Sequence, residues 1–185
     1  MLDFIENEIN LRKETLNGIA ENLKNYIYTV SIMLEETLNN GGKVILFEDM
    51  GNFYVSNKIS DRIIKKFVDI KIGLPAIALK NNELIKEIYG EEGVYQKQIE
   101  AFVSKKDFLI GFSSNGCSKA ILRALSLGKN IGCRTVGFSG FDGGVMKDFC
   151  DLNIVIPSED VVIIYEMFYI TCNIIINSTE LKNHE

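Results

Sequence analysis

Histidine, tryptophan and proline are almost missing from this chain of 185 residues, which has one histidine, no tryptophan and two prolines. His184 is the penultimate residue, where chain ends fray, so imidazole acid/base chemistry and histidine-based zinc binding within one chain are all but excluded. The four cysteines, at 117, 133, 150 and 172, form no CxxC pair. The opening MLDFIENEIN lacks the basic start and apolar stretch of a signal peptide, so reduced thiols and a cytoplasmic location are expected. There is no uninterrupted apolar run of about 18 residues, and no membrane partner is expected. Lysine and arginine do not cluster and the formal net charge is -5, which argues against direct, non-specific nucleic-acid binding while leaving small anionic ligands open.

What is present is a globular composition, 46% hydrophobic and 24% charged. From Leu2 to about Asn40, apolar residues recur at helical spacing (Ile5, Ile9, Leu16, Ile19, Leu23, Ile27, Val30, Leu34), and Asn39-Asn40-Gly41-Gly42 stops the pattern. The spacing predicts one long helix or two in tandem, with a stripe to bury against a sheet, a helix or a second subunit. Beyond Gly42, short apolar runs alternate with helical stretches. The runs are KVILF (43–47), LPAIAL (74–79), FLIGF (108–112), CRTVGF (133–138) and LNIVIP (152–157). The helical stretches cover 53–68, about 83–103, 118–128 and 160–177, with a short helical turn before the fifth strand. Strands apolar throughout are buried on both faces, and helical crossovers join parallel neighbours. The expected fold is therefore a three-layer α/β/α domain with a five-stranded parallel sheet. One domain spans 1–185, with a helical extension over 1–40 and an α/β core over 42–178. Pro75 falls at the start of its strand.

In such a sheet ligands lie beyond the carboxyl ends of the strands, so the loops after Phe47, Leu79, Phe112 and Phe138 decide function. FLIGF runs into Ser113-Ser114-Asn115-Gly116-Cys117-Ser118 and then a helix. Three hydroxyls, an amide and a glycine at a helix N-terminus suit an anion, phosphate above all. The plainer reading is that Ser114 or Ser118 only caps the helix. A cap needs one hydroxyl, and the surplus brings the two readings level.

GGKVILF, LPAIAL, the segment from IEAFVSKKDFLIGFSSNGCSKAILRAL and TVGFSGFDGGVMKDFCDLNIVIP together resemble the sugar isomerase (SIS) domain, over nearly the whole chain. The resemblance is to the phosphoheptose isomerase branch, which also includes a DnaA-binding regulator. The family's STSGNS loop wraps the sugar phosphate, and Ser113, Ser114, Asn115 and Ser118 stand in matching places. SGFDGG (139–144) resembles the family's TGxDGG, with Asp142-Gly143-Gly144 reading as a turn. The resemblance implies a phosphorylated sugar as ligand and a homo-oligomer, expected to be a tetramer with sites between subunits. The N-terminal helix and the apolar helix VVIIYEMFYITCNIII (161–176) would lie in the contacts.

The departures bear on activity. Where the family has GNGGS after the first strand, this chain has Glu48-Asp49-Met50-Gly51-Asn52. Like charges within about 6 Å oppose each other, so either the two carboxylates point away from the anion or the loop no longer takes the usual ligand. Asn52 retains a donor for phosphate. The family's glutamate base and a neighbouring metal-binding histidine fall on Arg62 and Lys58, and its glutamine and histidine on the last helix fall on Tyr165 and Asn173. No cofactor or metal is expected. Asp61 and Glu166 are the weak candidates for displaced catalytic carboxylates, although neighbours on a helix point about 100° apart. Lys58 and Arg62 read as salt-bridge residues or as a grip on an anion, and Cys117 as a plain thiol lacking a histidine base. The implied function is a phosphosugar-binding relative with lost or much reduced isomerase activity. The alternatives are an active sedoheptulose 7-phosphate isomerase with displaced acid and base, and a protein-interaction scaffold resembling the DnaA-binding relative.

Overall fold

The computed structural model describes residues 1–49, 54–66 and 75–180. Asn52 and His184 lie outside them. Two helices come first, α1 (Leu2–Asn22) and α2 (Lys24–Asn39), in tandem with only Leu23 between them. Five strands follow, β1 (Val44–Glu48), β2 (Ala76–Ala78), β3 (Phe108–Phe112), β4 (Arg134–Ser139) and β5 (Leu152–Val155), all paired in parallel in the order β2-β1-β3-β4-β5. Between them run α3 (Tyr54–Lys66), α4 (Glu83–Tyr89), α5 (Val94–Phe102) and α6 (Lys119–Ile131), and α7 (Val161–Ser178) closes the described chain. The expected three-layer parallel architecture is the one observed.

Strand parity sorts the core into two halves, since successive side chains on a strand point to opposite faces. Val44 and Leu46 of β1 join Phe108, Ile110 and Phe112 of β3 against α2, α3 and α7, through Leu34, Ile59, Ile63 and Phe168. Ile45, Phe47 and Leu109 face the other way, against Ile99 of α5 and Leu125 of α6. Phe112, Phe138 and Phe168 stack with centroids 5.1 to 5.8 Å apart, and Tyr165 meets Phe168 edge-on at 5.2 Å. This aromatic layer lies at the carboxyl ends of β3 and β4.

By length and composition α7 could cross a membrane, but half of it is buried inside the protein. Its apolar character follows from that packing on α2 and α3. Asp160 caps its start, accepting from the Val162 and Ile163 amides at 2.8 and 3.2 Å. Lys66 of α3 closes its end by donating to the Ile176 and Thr179 carbonyls.

One expectation is corrected. The helical stretch over 83–103 is two helices, α4 and α5, separated at Gly90 and a 3-10 turn over Glu91–Gly93. Gly90 sits at φ +76, outside helical geometry and readily open only to glycine, so the chain turns there. The break sets Glu91, Glu92 and Tyr95 around the mouth of the cavity described next.

Candidate functional site

The strand order reverses between β1 and β3: the chain leaves β1 toward β2 on one side and β3 toward β4 on the other. Crossovers therefore diverge and leave a crevice at the carboxyl ends of this pair, the place where open α/β sheets take ligands. A cavity of about 580 Å³ lies there, lined by Glu48 and Asp49 from the end of β1, Asn81 after β2, Glu91, Glu92 and Tyr95, and Ser118, Lys119 and Arg123 at the start of α6.

The β3 loop is held mainly by its own backbone. The Ser113 amide donates to the Phe138 carbonyl at 3.0 Å, and the Gly140 amide to the Ser114 carbonyl at 2.8 Å, tying the loop to the end of β4. Gly116 has φ +68 and packs so closely on Gly143 that an added Cβ would overlap the Gly143 carbonyl oxygen. This close approach of backbone is made to the SGFDGG turn. Gly143 and Gly144 also have positive φ, and Asp142 accepts from the Gly144 amide at 2.9 Å, the turn foreseen for these residues.

The four loop residues expected to hold phosphate separate. Ser113 is fully buried and its Oγ accepts from the Ser118 amide at 3.4 Å, so it supports the loop from below. Asn115 is exposed and its Oδ1 accepts from the Cys117 amide at 3.0 Å. Ser114 and Asn115 line a different depression, of about 490 Å³, together with Cys117 and Asp142. Ser118 alone lines the crevice cavity. It occupies the N-cap position of α6 yet makes no side-chain cap hydrogen bond, which leaves its hydroxyl uncommitted at the positive end of the helix. Lys119 and Arg123 stand beside it, both paired with Glu92 at 3.1 and 2.6 Å.

At the end of β1, Glu48 is 2% exposed. It shares the parity of Val44 and Leu46, which turns it toward α3, and its Oε2 accepts from the Val55 and Ser56 amides at 3.1 and 3.0 Å. A carboxylate of the chain itself thus occupies the N-terminal amides of α3. Its Oε1 is buried without a partner. Burial pushes the Glu48 carboxyl up from its ordinary range, against the lowering effect of the helix amides. Tyr95 donates its hydroxyl to the Glu48 carbonyl at 2.6 Å and so fixes the strand end. Asp49 is exposed and accepts from the Tyr165 hydroxyl of α7.

The remaining candidates stand apart. Asp61 is exposed on α3 and does not line the cavity. Glu166 is gripped in a fork by Arg12 of α1, at 2.8 and 3.1 Å, and borders an apolar groove of about 730 Å³ instead. Lys58 is exposed on α3. Arg62 donates to Asn177 of α7 at 2.8 Å, and Asn173, one turn earlier, donates to the Tyr169 carbonyl at 2.8 Å. Two cations, a phenol and an amide do not form a donor set for a divalent metal, and among the described residues no three His, Cys, Asp or Glu side chains are grouped to hold one. Of the residues now seen at the cavity, Asn81, Glu92, Tyr95, Lys119 and Arg123 were not singled out from sequence, because they reach it from separate elements. The role of Glu48 was legible in strand parity.

Comparison with known proteins agrees with this architecture. Residues 9–140 match the SIS domain family. The chain is 37% identical over 183 residues to a phosphoheptose isomerase of Nitratiruptor sp., covering 95% of this chain and 98% of that protein. It is 32% identical over 182 residues to the phosphoheptose isomerase of Helicobacter pylori strain P12, covering 96% and 95%. Among solved structures, a phosphoheptose isomerase from Francisella tularensis superposes with a TM-score of 0.86 at 22% identity, covering 96% of this chain and 98% of that one. One from Neisseria gonorrhoeae gives 0.87 at 17% identity, covering 95% and 96%. With near-complete coverage in both directions, the chain belongs to the phosphoheptose isomerase family of SIS-domain proteins.

Proposed function

We propose that this chain binds a phosphorylated sugar in the crevice between the ends of β1 and β3 and does not isomerise it at an appreciable rate. The observation that carries the reading is the chemistry of four side chains. Moving a proton between the two carbons of an aldose–ketose pair takes a positioned base and an acid. Lys58, Arg62, Tyr165 and Asn173 stand where the family resemblance places that machinery. The anion-favouring start of α6 remains, with the Ser118 hydroxyl free of any cap bond and the Ser118 amide held by Ser113 beneath it. Of the other residues expected to hold phosphate, Ser114 and Asn115 line a separate depression and Asn52 lies outside the described residues, so the reading rests on Ser118.

A second reading is favoured by Glu48. A buried carboxyl whose pKa is raised by burial, on a residue that borders the cavity, has properties that suit a general base. In that case the chain is an active isomerase with a displaced base, and Glu48 replaces Asp61 and Glu166 as the candidate.

Calorimetric titration with sedoheptulose 7-phosphate, run beside an assay of its aldose–ketose conversion, separates the readings. The proposal expects saturable binding weakened by Ser118→Ala, and no turnover. Replacing the four side chains together (Lys58→His, Arg62→Glu, Tyr165→Gln, Asn173→His) is expected to raise turnover by about 10² or more. Wild-type turnover that Glu48→Gln abolishes establishes the second reading. Absence of binding to any sugar phosphate overturns both and favours a protein partner. The same reading has the chain assemble as a homo-oligomer, expected to be a tetramer. Leu2, Phe4, Ile5 and Ile9 on α1 and Val162 on α7 support it, being apolar and exposed. Light scattering tests it.

A further inference from the structure

The crevice has two cations among its described lining residues, Lys119 and Arg123, and one carboxylate holds both. Glu92 Oε1 meets the Lys119 ammonium at 3.1 Å and Glu92 Oε2 the Arg123 guanidinium at 2.6 Å, one oxygen to each. Lys119 and Arg123 are four residues apart on α6 and so share a face, next to the Ser118 hydroxyl that makes no cap bond. Together they offer two positive prongs at the positive end of a helix, an arrangement that suits the several oxygens of a phosphate. The Glu92 carboxylate, bridging the prongs with its two oxygens, makes the contacts that a phosphate in this crevice would make.

Displacing Glu92 costs little. The three side chains are 36 to 72% exposed, and ion pairs so open to water contribute little. Glu92 sits on the 3-10 turn Glu91–Gly93, entered through Gly90, and the preceding α4 has no buried residue. Its side chain therefore swings away without disturbing a packed core. A phosphate monoester carries about -1.5 to -2 charges at neutral pH and three acceptor oxygens, against one charge and two oxygens for the carboxylate, so it wins the exchange. The exchange still takes a toll on affinity, because both cations are neutralised before the phosphate arrives and the displaced carboxylate stays nearby.

We propose that Glu92 is a built-in competitor for the ligand's phosphate, holding Lys119 and Arg123 until the phosphate displaces it and thereby setting the affinity for phosphorylated ligands. The proposal rests on the phosphosugar reading above and adds the residue that tunes it. Calorimetry on the full chain with sedoheptulose 7-phosphate, comparing the wild type with Glu92→Gln, tests it. The variant is expected to bind about three- to tenfold more tightly, to lose affinity more steeply with added salt, and to show the same gain with inorganic phosphate as the probe. Adding Arg123→Gln to Glu92→Gln is expected to cancel most of the gain. Should Glu92→Gln fold poorly, Glu92→Asp, one methylene shorter and unable to bridge both cations, is expected to give a smaller gain of the same sign. Unchanged or weaker binding by the variants, with the wild type binding, overturns the proposal, makes Glu92 a tie between its turn and α6, and leaves the phosphosugar reading standing. Failure of wild type and variants alike to bind any sugar phosphate overturns both.

Discussion

Two buried carboxylates stand at opposite ends of the same strand pair and are treated in opposite ways. Asp107, just before β3, is 3% exposed and accepts from the Lys43 and Ser104 amides at 3.0 and 2.7 Å, from the Ser104 hydroxyl at 3.1 Å, and from the Lys43 ammonium at 2.6 Å. Glu48, at the far end of β1, is equally buried, has two amide donors on one oxygen and, among the described residues, no hydrogen-bond partner for the other and no cation within ion-pair distance. Burial raises the pKa of both. At Asp107 the Lys43 and Ser104 bonds outweigh that effect and hold the group below the usual carboxylate range, while at Glu48 burial wins. The amino edge of the sheet thus uses its acid to lock two strands together, and the carboxyl edge keeps one with unmet bonding capacity. Sheets of this class bind ligands at the carboxyl edge, and the contrast locates that asymmetry in single side chains.

Removing the satisfied acid has the largest expected effect. Asp107→Ala leaves a lysine ammonium and two backbone amides unpaired at a buried junction, and is expected to cost about 3 kcal/mol by urea denaturation. Asp107→Asn keeps one acceptor and is expected to cost less. A loss for Asp107→Ala no larger than an ordinary surface change, about 0.5 kcal/mol, would break the contrast.

Next in size is the support under Glu48. Tyr95 is 3% exposed, and burial together with the Glu48 and Asp49 charges holds its phenol far above the ordinary range, so it stays a donor at any working pH. Tyr95→Phe orphans the Glu48 carbonyl and is expected to cost about 1 to 2 kcal/mol. It is also expected to weaken sugar phosphate binding in the same titrations, because the strand end that presents Glu48 loses its anchor. A change in stability with ligand affinity unaltered would assign Tyr95 to the fold alone.

Much of this was legible in the sequence, for identifiable reasons. VILFE and FLIGF are apolar on both faces because both faces are covered, and that pattern survives without any tertiary information. Parity along β1 puts Glu48 on the same face as Val44 and Leu46, toward α3 and not toward solvent. The break at Gly90 is masked by apolar residues that continue at helical spacing on both sides, although Gly90 and Gly93, three residues apart, carry the signal for it. In SSNGCS the residue types announced a loop with spare hydroxyls, but the division that buries Ser113, turns Ser114 and Asn115 to another depression and leaves Ser118 in the crevice depends on the contact with Gly143. Asn81 and Tyr95 carry no local signal because their significance arises from where β2 ends and α5 begins.

The smallest expected effect is the most discriminating, because its sign differs from that of Asp107. Glu48→Gln keeps the shape and one acceptor for the α3 amides while removing a buried uncompensated charge. At neutral pH it is expected to be neutral or to stabilise by up to about 1 kcal/mol, less any cost of its unpaired amide donor. The pH dependence follows from the two shifts. Asp107 has its folded pKa depressed, so its contribution is present above the unfolded value and is lost as pH falls through the folded one. Glu48 has its folded pKa raised, so its contribution is full below the unfolded value and is lost as pH rises through the folded one. A stability profile of the wild type from acid to neutral pH therefore contains two opposing limbs. Glu48→Gln is expected to remove the limb that declines with rising pH, and Asp107→Asn the limb that grows. If Glu48→Gln instead destabilises at neutral pH by 2 kcal/mol or more, the ionised carboxylate is itself a structural cap for α3, and the two ends of the strand pair serve the fold alike.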